Sequence, residues 1–413
     1  MSQRHLEATL RGHDCSISAL EIFYLPTRAS FVKDGESVPI LMPTLLSADD
    51  SGLVIWWDLN TRRPLFSWQA HSGTVLTLAQ IGINWQCDSE SNFDFPAIDE
   101  NFGSVLTHGK DGELRIWKLI KLSDENSFSY NVKISRKIFN GDIEKEFEMP
   151  INVMNFSNVS FRDGILITPA TNNAEGFDIY KIDLKEAEKF NQLKRLVHDY
   201  QPILSPNDES TDNKRGGHGI IMRLSFIDSN NFIAAYESGA IISYYLNKES
   251  ISITEKFINS SLTPHSVTSL SVDRENVYAA STSNYINIIN LENGSNEIFD
   301  TKHKGASSLA HSNINNLLIV NTWDGYTRIY QTDSIPFKIL TKWRKTMPSA
   351  LSQTQTQKSM FSVFSKNQLV DRNQLDYKNG RYKNIVRRNR EEPIFKNYFM
   401  VAYQDGKIGL YTY

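Results

Sequence analysis

Cysteine is nearly absent from this chain. Cys15 and Cys87 are the two in 413 residues, and neither belongs to a C-x-x-C pair. A disulfide scaffold and a thiolate zinc centre are thereby excluded. No run approaches the ~18 apolar residues of a membrane-spanning helix. The N-terminal MSQRHLEATLRGHD lacks the apolar stretch of a secretory signal, so the chain reads as soluble and intracellular. An excess of one charge is also missing. Lys and Arg number 44 against 47 Asp and Glu, for a net charge of −3, which argues against direct nucleic-acid binding by the molecule as a whole. Catalytic signatures are absent too: there is no GxGxxG, HExxH or GxSxG. The segment from Gly103 to Lys110 looks like a phosphate loop. It misses the spacing by one residue, has Asp111 where a hydroxyl must meet magnesium, and lies on a hairpin rather than before a helix. No cofactor is expected.

What the sequence does contain is repetition. A short apolar run, a tight turn ending in Gly, and an alternating run ending in an aromatic recur along the chain. The clearest copies are LLSADDSGLVIWWDL, with Gly52 before Trp57, and LTHGKDGELRIWKL, with Gly112 before Trp117. Gly239 to Tyr244, Gly325 to Tyr330 and Gly406 to Tyr411 keep the same spacing. Two copies are degraded. One has Asn284 for the Gly and Ile289 for the aromatic, and the other has Gly176 only four residues before Tyr180. Each copy reads as strand, turn, strand, with period-two alternation in the second strand. A His followed by an apolar strand precedes several of them, at His13, His71, His218 and His303, with a shortened version at His265.

A Gly-His start with a Trp-Asp finish resembles the WD repeat. Seven copies predict an all-β, seven-bladed WD-repeat propeller spanning 1–413. A propeller leaves unpaired strand edges unless its ends meet. The final copy stops at Tyr413 without an outer strand, and His5 to Leu10 form a loose strand before the first Gly-His. The prediction is that this strand closes the last blade against Lys407 to Tyr411. The surplus length is assigned to insertions at about 26–39, 84–103, 185–217 and 341–392. In the third, Ala187, Phe190, Leu193 and Val197 have helical spacing and predict a short helix followed by a loop. The fourth carries 12 Lys and Arg against 4 Asp and Glu, and its LSQTQTQKS stretch reads as disordered.

His71, Thr107, Asp111 and Trp117 invite a catalytic-triad reading. They fall where the WD repeat keeps a buried hydrogen-bonded tetrad, and no oxyanion loop accompanies them, so a structural role is expected. The first copy has His13, Ser47 and Trp57, with Ser51 in place of the turn Asp. The repeat histidines are spread around a propeller, so a metal site is not expected. Trp323 lies in a turn with little blade to pack into, which makes it a candidate partner anchor, with Tyr236 and Tyr403 near the same face. Trp56, Trp68 and Trp117 lie in strands and are expected in the core. Arg381, Lys383, Arg387, Arg388 and Arg390 surround Tyr382 and form a candidate import or binding segment.

The series LRGHDCSISAL, IIMRLSFIDSNNFIAAYESGAIISYYL, LLIVNTWDGYTRIY and VAYQDGKIGLYTY resembles the ASTRA-associated WD-repeat family, with its guanine-nucleotide-binding-protein-beta-like relatives. The shortened third repeat AEGFDIYKI and the Trp of the sixth turn belong to the likeness, whereas 185–217 and 341–392 do not. The resemblance implies a nuclear, non-enzymatic interaction scaffold, with the cytoplasm as a second location. It implies partnership with an assembly linked to chromatin remodelling, whose members include RuvB-like ATPases, a kinase-related scaffold and the co-chaperone that matures phosphatidylinositol-3-kinase-related kinases. The alternative is a substrate receptor of a ubiquitin ligase.

Overall fold

The computed structural model describes residues 5–33, 36–87, 94–123, 127–132, 143, 145–152, 157–186, 192–203, 217–313, 315–348, 354–366, 368, 376–377 and 392–413. They form an all-β, seven-bladed propeller, with no α-helix among them. No described helix is long and apolar enough to cross a membrane. Two compact units share the chain. One comprises 1–109, 115–148 and 361–413, and the other 110–114 and 149–360.

In the first unit, Ile17–Lys33, Glu36–Asp49, Leu53–Asp58 and Arg63–Gln69 make the first blade. Its opening hairpin runs from Ile17↔Asp49 out to Lys33↔Glu36, so the surplus at 26–39 lengthens two existing strands. Asp376–Tyr377 pairs onto this extension at Ser30 and Ala29. The surplus at 84–103 contains a second hairpin, Ile83–Cys87 with Asp94–Ile98. The N-terminal strand His5–Arg11 pairs antiparallel with the last strand, Lys407–Thr412, from Leu10↔Ile408 to His5↔Thr412. The closing blade is thus built from both ends of the chain, as the unpaired edge requires. Trp56, Trp57, Phe66 and Trp68 form the centre of this unit's core, with Leu10, Met400 and Leu410 joining it from the closing blade. Trp56, Trp68 and Trp117 are buried, as expected of strand tryptophans.

The second unit holds the third to sixth blades. The fourth has four strands, Ile221–Phe226, Asn231–Tyr236, Ile241–Asn247 and Ser252–Asn259. Its Phe232 and Tyr244 stack on each other and meet Phe177 of the third blade edge to face, with ring centroids about 5 Å apart.

Two expectations from the sequence are corrected here. Leu193–Tyr200 is a strand, not part of a helix. It pairs with Phe177–Ile182 through Ile182↔Leu193 and Ile179↔Val197, and residues four apart, which share a helix face, also share a side of a regular strand. The exposed edge of the third blade supplies backbone partners that outweigh local periodicity. Nor is all of 341–392 an insertion between blades. Lys338–Pro348 is the outer strand of the sixth blade, Thr354–Gln357 extends it, and Ser359–Phe364 is the innermost strand of the closing blade. The stretch read as disordered therefore contains a paired strand. Its Gln and Thr side chains carry no apolar signal, but the ladder uses only their backbone.

Side-chain amides join neighbouring blades where no ladder runs. Gln80 accepts from the Tyr24 N–H (2.7 Å) and donates to its carbonyl (3.1 Å). Asn158 does the same at Leu224 (3.0 and 2.7 Å), and Gln368 at Leu41 (2.8 and 2.9 Å). An amide matches the donor–acceptor pair of a peptide group, so each leaves no buried backbone group unmet.

Candidate interaction site

The turn between the second and third strands of a blade carries the repeat's Gly. In the first blade, Gly52 has φ 89°, and a Cβ there would collide with the His71 carbonyl. Gly406 (φ 72°) receives the His13 carbonyl in the same way. The recurring Gly and the next repeat's His are thus coupled: one turn is the seat of the other's backbone.

Above these seats each blade buries a different polar set. In the first blade, His13 Nδ1 lies 2.7 Å from Asp49 Oδ2 and Nε2 lies 2.7 Å from Ser47 Oγ. Trp57 Nε1–H donates to the same Ser47 Oγ at 2.8 Å. A neutral His13 with its proton on Nδ1 satisfies every member of this chain. Burial opposes ionisation of Asp49, but the His13 ring and the Ser51 donors outweigh it and hold its pKa below the usual carboxylate range. The tetrad is therefore complete, which corrects the expectation that Ser51 had replaced its acid. The carboxylate comes from two residues earlier, and Ser51 donates to it.

In the second blade, His71 Nε2 and Trp117 Nε1 converge on Thr107 Oγ1 at 2.8 and 2.9 Å. Arg115 reaches the same histidine, with Nη1 3.0 Å from His71 Nδ1, and pairs with Glu148 at 2.6 Å. Asp111 lies in the turn, where its carboxylate accepts the Glu113 N–H at 3.3 Å. The third blade centres on Asp178, fully buried, which accepts from Thr171 Oγ1 (2.7 Å), Tyr180 Oη (3.0 Å) and the Asp199 N–H (2.7 Å).

Tyr236 and Tyr403 do not face a partner. They are 0% and 3% exposed, and their hydroxyls bond those of Tyr244 (3.1 Å) and Tyr411 (3.0 Å). Each stands three residues before its turn glycine, the position Asp49 holds in the first blade, and its partner stands five after it, the position of Trp57. Among the repeat histidines, His13, His71 and His218 are buried and His265 is exposed. No group of three His, Cys, Asp or Glu that could hold a metal occurs among the described residues. Arg381, Lys383, Arg387, Arg388 and Arg390 lie outside the described residues.

The sixth blade differs from all of these. Its turn acid, Asp324, is taken by an arginine from its own blade. Arg328, 2% exposed, donates from Nη2 to Asp324 Oδ2 at 2.7 Å and from Nη1 to Oδ1 at 3.1 Å, and also donates to Thr322 Oγ1. Burial raises the Asp324 pKa, and the Arg328 and Thr322 bonds outweigh it, bringing it to about 2. His303 is then not required inside. Its ring is 39% exposed, 3.3 Å from Asp324, and its pKa is lowered by burial and by Arg328. Trp323 rests on Gly305, whose φ is 73° and where any Cβ would strike the indole. The Trp323 N–H donates to the Gly305 carbonyl at 3.1 Å. The indole is 44% exposed, a large apolar side chain held open on a rigid turn. Tyr326 follows, with Arg328 and Arg344 over its ring at 4.9 and 5.4 Å.

The sequence singled out Trp323 and did not single out Arg328, Tyr326 and Arg344, which lie around it. Arg115 and Arg328 both stand three residues after a turn Asp-Gly pair, but the closing copy has the same pair, Asp405-Gly406, with Gly409 at that position, so the pattern alone does not single out Arg328.

The family model described as ASTRA-associated protein 1 matches residues 6–411. An ASTRA-associated protein 1 from Komagataella phaffii is 33% identical across 98% of this chain and 96% of its own length. One from Meyerozyma guilliermondii is 30% identical across 75% of this chain and 76% of its own. Another, from Debaryomyces hansenii, is 25% identical with 98% of each chain covered. With its N-terminal closing strand, its blades and its last strand all inside the match, the chain belongs to the ASTRA-associated protein 1 family.

Proposed function

We propose that this chain is a non-enzymatic subunit of the ASTRA complex, a rigid platform on which other subunits assemble. The reading is carried by the match to ASTRA-associated proteins over nearly the whole chain. It is supported by a site whose polar groups are spent on one another. The His13 and His71 networks are closed and buried, which leaves no free nucleophile–base pair in them. The finer reading places the protein in the nucleus. There it contacts RuvB-like ATPases, a kinase-related scaffold or the kinase-maturation co-chaperone, and serves chromatin remodelling and kinase maturation. Trp323 is the proposed anchor, since a half-exposed Trp held on a stiff turn loses little freedom on binding.

Affinity purification of the tagged full-length protein with mass spectrometry tests the reading. RuvB-like ATPases and the kinase-related scaffold are expected among the stoichiometric partners. Recovery of a cullin adaptor in their place would overturn it in favour of a ligase receptor.

A further inference from the structure

Trp323 stands beside a concentration of positive charge that the molecule as a whole lacks. Lys302 and Lys304 flank His303, and both are exposed. Tyr326↔Arg344 and Arg328↔Lys342 are direct cross-strand partners. Residues two apart share a side of a strand, so Tyr326, Arg328, Lys342 and Arg344 occupy one side of the sixth blade. Burial lowers the His303 pKa, Arg328 and Lys342 lower it further, and Asp324 and Asp300 oppose them, so Arg328 and Lys342 act on the ring that Lys302 and Lys304 flank in sequence. Lys342 and Arg344 make no ion pair among the described residues. Two acids are nearby, and both are committed. Asp324 is held by Arg328 and Thr322, and Asp300 accepts from the Lys302 N–H and from Asn284. Exposed Ile339 and Leu340 continue the same outer strand.

We infer that this side of the sixth blade binds a short acidic segment of a partner protein. Its carboxylates would lie over Lys302, Lys304, Lys342 and Arg344, and one apolar side chain would rest on Trp323. Charge complementarity argues for this occupant. The strand from Lys338 to Arg344 is roughly 20 Å long at about 3.4 Å per residue, room for about six extended residues. A longer polyanion such as nucleic acid would run off the patch onto a chain of net charge −3 and be repelled there. The guanidinium of Arg344, ordered over Tyr326, presents a planar fork suited to a carboxylate. This inference rests on the reading of the chain as an interaction platform, but not on which assembly it joins.

The test uses the full-length protein and a short fluorescein-labelled peptide of Glu and Asp with Leu-Phe at its centre, read by fluorescence polarisation. The Gln/Asn version of the peptide and a single-stranded oligo-dT serve as competitors. Saturable binding that weakens with salt is expected. Lys342→Glu with Arg344→Glu should lower affinity by at least about tenfold, as should Trp323→Ala, with melting curves showing both variants folded. Lys302→Glu with Lys304→Glu is a second, independent charge reversal expected to act in the same direction. Equal binding of the Gln/Asn peptide, indifference to both charge reversals, or no binding at all would overturn the inference. Full displacement by oligo-dT would overturn it in favour of nucleic acid. The peptide needs no ASTRA subunit, so failure here and failure of the proposed assembly are read separately.

Discussion

The first and sixth blades solve the same turn in opposite ways. In the first, the turn acid Asp49 takes its partner from the preceding segment, and the His13 ring is pulled inside, 6% exposed as a residue. In the sixth, the acid takes Arg328 from its own third strand, and the His303 ring is left 39% exposed. The difference is one of reach. A histidine must lie within hydrogen-bond distance of the carboxylate with its whole ring buried, whereas a guanidinium on a long stem arrives from two strand positions away. Where arginine satisfies the acid, the loop carrying the histidine no longer has to close, and Trp323 and a ring of cations take the surface. A buried carboxylate needs a partner, but the repeat does not specify which, and that latitude is where an interaction surface can arise.

The largest effect should come from the strands that complete the closing blade. Removing His5–Arg11, or excising 341–392 with its Ser359–Phe364 strand, should abolish soluble folded protein, because either change leaves an edge of Lys407–Thr412 or Tyr398–Tyr403 unpaired. Soluble yield and circular dichroism measure this. A truncation that melts like the parent would show that the two-ended blade does not hold the fold.

Next come the tetrads. Asp49→Ala strands the buried His13 ring and should cost about 1–3 kcal/mol, read by urea denaturation. Asp324→Asn should cost less, about 1 kcal/mol, because the amide oxygen still accepts from the buried Arg328. The pair inverts if the sixth-blade acid is the more important of the two.

The acid dependence has a definite sign. The pKa values of both carboxylates are lowered in the fold. Their contribution is therefore complete above the unfolded value near 3.8 and is lost as pH falls through the lower native values, toward about 2 for Asp324. His303 is also lowered from 6.5, so its term too is present above that value and declines below it. These three groups lower the melting temperature on acidification, whereas Glu21, whose pKa burial raises to about 7, acts in the opposite sense between 4.5 and that value, and Asp49→Asn should remove part of the steep limb at lower pH. An unchanged limb in that variant would mean the first-blade acid is not strained toward ionisation.

Much of this was legible in sequence because the repeat's signals are backbone signals. The turn glycines, the Gly-His starts and the alternation into Trp57 and Trp117 report seats and strands directly. The orphan strand at His5 to Leu10 was legible because a closed sheet leaves no other place for it. What escaped reading was set by pairing at a distance. Leu193–Tyr200 has a helix-like pattern yet is recruited by a blade edge, and Thr354–Gln357 has no apolar pattern at all. Asp49 was hidden because its carboxylate enters the network from a shifted position. Tyr236 and Tyr403 looked like surface aromatics because their hydroxyl partners, Tyr244 and Tyr411, stand on the far side of a turn.

The smallest stability effect should belong to Trp323→Ala, under about 0.5 kcal/mol for a half-exposed side chain, and it should carry the largest effect on association. Recovery of ASTRA subunits on tagged Trp323→Ala, beside tagged Asp49→Ala and at a temperature where both are folded, tests the contrast between the two blades most directly. The account predicts that Trp323→Ala melts like the parent and loses its partners, while Asp49→Ala melts lower and keeps them. Full recovery of partners by Trp323→Ala, with a lowered melting temperature, would contradict it and return that residue to a packing role.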